Sequence, residues 1–244
     1  FYAHSEEKHN WANPYYQGME IYNIHTDVKD ESMLPLISNM IVSGIQNREW
    51  AMREIFDEQI TILAHWDSLN SNRKIVGFAA VDAHENQNIR ARYLQDGRVE
   101  WLGPNANPID TVEENFLNSW MFSTPDENGW IFKWMADTYQ TSFNNVTNYV
   151  VADTLSVSAI ANSLKNGNLF IAFKSLADAK GFMFCSKNGE GEISGILGDS
   201  VKADQVKSLY AVSPLPGQFR LIQDGKTVAV SSEDQYQFNW MEPT

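Results

Sequence analysis

The sequence predicts an α/β fold followed by an antiparallel β domain, and three observations carry that expectation. Residues 75–81, Ile75-Val76-Gly77-Phe78-Ala79-Ala80-Val81, form a continuous apolar run of strand length, as a strand covered on both faces does. Apolar residues at helical spacings come before this run. Beyond residue 149, short strand-like runs alternate with turn dipeptides. Strands alternating with helices favour a parallel sheet, open or closed into a barrel. Short strands with regular turns favour an antiparallel sandwich. The expected domains are therefore 1–148 and 149–244.

Taken in order, residues 1–24 read as strand, loop, strand, with Gly18-Met19-Glu20-Ile21-Tyr22-Asn23 a short alternation bounded by Gly and Asn. Leu34, Leu36, Ile37, Met40, Ile41 and Ile45 outline one helix, and Trp50, Ile55, Ile62, Leu63, Trp66 and Leu69 a second. Residues 87–148 interrupt the rhythm as an insert rich in aromatics, with helices expected near 110–121 and 129–140. Residues 156–164 give a further helix, with Ser156 as N-cap and Gly167 as C-cap. Strands are expected at 169–173, 181–186, 206–212, 219–223, 227–230 and 235–240, with hairpin signals at Asn188-Gly189 and Asp224-Gly225.

Charge and cysteine content exclude several functions. The 244 residues hold 18 Lys+Arg against 31 Asp+Glu, a formal net charge of −13. That balance opposes non-specific nucleic-acid binding and docking on an anionic membrane face, both of which need cations. The single cysteine, Cys185, excludes an intrachain disulfide framework and a zinc site built on several thiolates. No apolar run approaches the roughly 20 residues that span a bilayer.

The chemistry-bearing residues cluster at expected strand ends. Asp82 and His84 follow the run 75–81, and in an extended segment they would project to one side. A carboxylate and an imidazole together suit zinc, manganese or iron. The alternative is a strand-end Asp bonded to its neighbours beside a half-exposed His. His4 follows the stub Tyr2-Ala3, and Glu20 and Asn23 end a third strand. Three strand ends would thus aim polar groups at one rim, where α/β folds place their sites.

The order of these pieces resembles the second half of the PHP family, named for polymerase and histidinol phosphatase. The resemblance rests on Ala3-His4, Gly18-Met19-Glu20-Ile21-Tyr22-Asn23, Trp66-Asp67-Ser68-Leu69 with Arg73, and Gly77-Phe78-Ala79-Ala80-Val81-Asp82-Ala83-His84. Downstream, Val150-Val151-Ala152-Asp153-Thr154-Leu155-Ser156, Gly181-Phe182-Met183-Phe184 and Phe219-Arg220-Leu221-Ile222-Gln223-Asp224-Gly225-Lys226 look like the link to a C-terminal β-domain and parts of it. It implies the C-terminal part of a distorted β/α barrel followed by an antiparallel β-sandwich. It also implies divalent metal ions held by His4, Asp82 and His84, a pocket lined by Glu20 and Asn23, and hydrolysis of a small phosphate ester. Ser5 stands where the family often has proline. The family's opening His-x-His and its middle His and Glu ligands have no counterpart, so they precede Phe1 or the site is defective. The competing expectation is a non-catalytic protein that recognises a glycan or a protein partner. A single cysteine and an appended sandwich fit a periplasmic or secreted bacterial protein slightly better than a cytosolic one.

Overall fold

A computed structural model describes residues 1–30, 53–85, 88–135 and 138–241. The chain divides into two units, one formed by residues 1–81 and 144–244 and the other by residues 82–143. Among the described residues, no helix is long and apolar enough to cross a membrane.

The first unit is organised around one parallel strand pair, β1 (Gly18–Asn23) and β2 (Val76–Ala80). Tyr2 adds a parallel bridge to Met19 on the other side of β1. Glycine lets the pair close: a Cβ on Gly18 would lie 2.7 Å from the Val76 carbonyl oxygen. Helix α1 (Ile24–Asp30) leaves β1 directly, and α2 (Ile60–Asn70) covers it. Met19, Ile62, Ile75 and Tyr16 are buried together, with Trp66 and Leu69 of α2 packed against them. Asn70 fixes the entry of the next strand, since its side-chain amide both accepts from the Ile75 N–H and donates to the Ile75 carbonyl. The far edge of β2 is met by a side chain. Asn148 bonds the Ala79 N–H and carbonyl at 2.9 and 2.8 Å, imitating a neighbouring strand.

The remaining elements of this unit follow from turn and cap chemistry. A short helix α3 (Tyr139–Asn145), of which residues 139–143 belong to the second unit, leads to β7 (Thr147–Val150), which pairs antiparallel with β8 (Leu169–Ala172). Between them lies α4 (Val157–Asn166), capped by Ser156, whose hydroxyl accepts from the Ala159 N–H, and ended by Gly167 in the left-handed conformation. Strands β9 (Met183–Lys187), β10 (Ile193–Ile196), β11 (Ser208–Gly217) and β14 (Gln235–Trp240) form a four-stranded antiparallel sheet. Strands β12 (Arg220–Gln223) and β13 (Lys226–Val230) form a separate hairpin across Asp224-Gly225, both residues having positive φ.

The second unit is an antiparallel sheet in the order β5-β4-β3-β6, from β3 (Asn88–Tyr93), β4 (Val99–Leu102), β5 (Pro108–Val112) and β6 (Trp130–Met135). Ala91, Val99 and Ile131 are its buried centre.

The described residues do not form the expected α/β barrel. The described residues hold fourteen strands in several sheets, mostly antiparallel, with about 20% helix and no closed barrel. A β/α barrel needs parallel strands joined by crossover helices, and β1–β2 is the single parallel ladder among the described residues. The expected sandwich is not seen among the described residues either: of the buried side chains in residues 149–244, only Cys185, Ser186 and Ala211 belong to the four-stranded sheet, too few for the inner layer between two facing sheets. The helices expected near 110–121 and 129–140 are instead β5, a 3-10 turn at Ser119–Met121, and β6. Trp130, Phe132 and Trp134 alternate with Ile131, Lys133 and Met135, a period-two pattern of strand-favouring residues that outweighs the helical spacing. The helix expected from residues 34–45 lies outside the described residues. The one expected from Trp50 to Leu69 is realised at Ile60–Asn70, after a 3-10 turn at Arg53–Ile55.

Candidate metal centre

The parallel pairing sets the level at which side chains leave the sheet. Tyr2 N–H donates to the Gly18 carbonyl and Glu20 N–H to the Tyr2 carbonyl, both at 2.9 Å, so His4 emerges beside Glu20. His4 has a backbone φ of 50°, a conformation uncommon outside glycine. Its carbonyl accepts from the Glu7 N–H at 2.9 Å, which closes a turn and swings Glu6 back towards the sheet. That carbonyl also lies 2.9 Å from His9 Nε2, which must carry the proton to donate there.

The result is a three-residue donor set. One ligand atom each from His4, Glu6 and Glu20 lies within 4.8 Å of the other two. His4 Nδ1 and Glu6 Oε1 are 3.3 Å apart, close to the ~3.4 Å edge of a tetrahedron with ligands at ~2.1 Å. Imidazole plus two carboxylates suits zinc, manganese or iron, and three protein ligands leave coordination positions open, as in catalytic sites. The donor set therefore fits the ion that the strand-end residues imply.

Electrostatics favour a cation here. Glu20 is 3% exposed, and burial raises its pKa despite the opposing Asn23 hydrogen bond and the nearby His4. A buried carboxylate of this kind is relieved by a positive partner. At Glu6, burial also pushes upward. Hydrogen bonds from its own backbone, Thr26 and His4 outweigh that and hold the carboxyl low, ready to ligate. Asn23 positions the set from behind. Its amide nitrogen donates to Glu20 Oε1 at 2.6 Å, its side-chain oxygen accepts from the His25 N–H at 2.8 Å, and its carbonyl accepts from Gln59.

A second carboxylate lies next to this network. Asp27 is fully buried, and desolvation pushes its pKa up to about 6, against a hydrogen bond donated by the Tyr22 hydroxyl and with a contribution from the Asp57 charge.

The expected site residues divide between the units. His4, Glu20 and Asn23 meet in the first, whereas Asp82 and His84 belong to the second. Asp82 is not extended: its φ is 47°, so the alternation expected along a strand does not operate. The two side chains face each other nonetheless, with His84 Nε2 3.5 Å from Asp82 Oδ1 and the imidazole exposed. Sequence reading passed over Glu6, which sits in the polar run Ser5-Glu6-Glu7-Lys8. The spacing His4-x-Glu6 repeats that of Asp82-x-His84, and this was the available signal. No protein-family model, no curated protein and no solved structure matches the chain.

Proposed function

We propose that His4, Glu6 and Glu20 hold a divalent metal ion and that the chain uses it to hydrolyse a phosphate ester. The observation that carries this reading is the convergence of the three donors, one of them the buried, desolvated carboxylate of Glu20. The order of strand-end residues that resembles the PHP family supports the phosphoesterase part of this reading, although that resemblance implies His4, Asp82 and His84 as ligands and the described residues hold no closed barrel. A bound divalent cation supplies Lewis-acid polarisation of a phosphoryl oxygen and lowers the pKa of water to near neutrality. The protein's own residues supply orientation. Asn23 holds the Glu20 carboxylate in one rotamer, the turn closed by Glu7 holds Glu6, and the left-handed backbone of His4 aims the imidazole inward.

Hydrolysis of phenyl phosphate by manganese-loaded protein tests the reading. Turnover should vanish with chelator, return with manganese, and fall at least about 100-fold in Glu20→Gln. Chelator-insensitive hydrolysis, or none at all in a protein that demonstrably binds manganese, would overturn it.

A second reading is non-catalytic recognition by the second unit. Phe116, Leu117 and Trp120 are 86, 68 and 78% exposed, and the Trp120 indole donates to the Leu117 carbonyl, which fixes the ring on its own loop. A fixed, exposed aromatic suits stacking on a sugar or a protein side chain. Loss of glycan or partner binding in Trp120→Ala, with phosphatase activity absent throughout, would favour this reading.

A further inference from the structure

A cavity of about 520 Å³ opens on the first unit, and none of His4, Glu6 and Glu20 lines it. Its floor is apolar, formed by Ile21, Trp66, Leu169, Phe170 and Leu197. Volume and lining are those of a small-molecule site. Glycine closes one side: Gly198 has a φ of 83°, and a Cβ there would strike the Gly167 carbonyl, so the end of α4 and the turn after β10 come together.

The polar side chains nearer the floor are spent within the fold. The Trp66 indole donates to the Ile75 carbonyl at 2.8 Å, and the Asn70 amide brackets the N–H and carbonyl of the same residue. What remains is exposed at the rim, namely Lys74, Asp199 and Ser200. Lys74 and Asp199 carry opposite charges and yet do not pair. The Lys74 ammonium donates to the Gly198 carbonyl, one residue short of Asp199. Asp199 is turned to neutral donors, its Oδ2 accepting from the Ile196 N–H and its Oδ1 from the Asn168 amide, both at 3.0 Å. Neither charge meets an opposite one among the described residues. The ammonium keeps two further protons and the carboxylate keeps lone pairs, so both can still bond a ligand.

Charge and floor together select the ligand. A molecule with a carboxylate alone gains Lys74 and is repelled by Asp199, and one with an ammonium alone meets the reverse. An uncharged apolar molecule uses neither. A zwitterion that carries both charges on one carbon, with an apolar side chain attached, uses all three features. Trp66 and Phe170 suit a large or aromatic side chain.

We propose that this cavity binds a free α-amino acid with a large apolar side chain. Its carboxylate bonds Lys74, its ammonium bonds Asp199, and its side chain lies on the apolar floor. The assignment does not depend on the phosphoesterase reading.

Calorimetry on the full chain compares phenylalanine with three analogues. 3-Phenylpropionate keeps only the carboxylate, phenethylamine keeps only the ammonium, and serine keeps both charges without the apolar side chain. Phenylalanine should bind at least about 10-fold more tightly than each, because a site with paired polar groups rejects ligands that leave one unmet. Lys74→Gln should weaken phenylalanine several-fold and remove its advantage over phenethylamine. Ser200→Trp, at an exposed position on the mouth, should weaken phenylalanine by filling the opening. Urea midpoints of both variants, matched to the parent, establish that they are folded. No phenylalanine binding at about 10 mM, an analogue that binds as tightly as phenylalanine, or binding unchanged in both variants would overturn the assignment.

Discussion

The end of β1 buries its carboxylates, whereas the sheet of the second unit carries ion pairs near its surface. At the end of β1, Glu20, Asn23 and Asp27 are 3, 1 and 0% exposed, and each is held by named partners. In the second unit two pairs of charged residues meet near the surface. Arg92 meets Glu100 across β3 and β4, and Arg98 meets Asp96 within one turn. Desolvating a polar group is expensive, so a fold retains such groups at depth where they do something that apolar residues cannot. Exposed pairs carry little energy and little information about function. The difference distinguishes the proposed site from a solvated face.

The comparison can be broken most forcefully at Asp27. Its folded pKa, about 6 against an ordinary 3.8, means that the folded chain keeps a proton the unfolded chain has lost. Stability from this group is thus fully present below about pH 4 and is lost as pH rises through 6. Asp27→Asn removes the penalty, so the variant should gain on the parent by about 3 kcal/mol between pH 4 and 8, read from urea midpoints. A pH-independent difference would show that the interior tolerates the charge. Asn23→Ala comes next, because it leaves Glu20 Oε1 and the His25 N–H without their partner. A loss of about 2 kcal/mol in the same assay is expected. The Arg92–Glu100 pair supplies the small end of the scale. Its two 2.8 Å contacts should yield a coupling of about 0.5 kcal/mol in a double-mutant cycle, vanishing in 1 M salt. A surface coupling as large as the Asn23 effect would erase the contrast.

The same contrast explains what sequence alone could reveal. β1 and β2 were legible because an apolar run bounded by turn residues has few other uses, and His4, Glu20 and Asn23 were legible as strand-end polar groups. The caps Ser156 and Gly167 and the Asp224-Gly225 turn are local chemistry, and they were read directly. The fold class was not legible. Trp130 to Met135 fits both a helix face and a strand, and tertiary pairing with β3 decides between them. Asn148 closing the edge of β2 is a contact across 69 residues that no local pattern encodes. Glu6 and Gln59 escaped for the same reason. Each is brought to its place by the turn at His4 or by α2, and no periodicity of its own marks it.

Titration of the metal-free full chain with manganese or zinc, followed by calorimetry, tests the central claim most directly. The account predicts saturable binding at one ion per chain, weakened at least about 10-fold in both His4→Ala and Glu20→Gln, with the folded midpoint of each variant measured alongside. Binding that is absent in the folded parent, or equally tight in both variants, would contradict it.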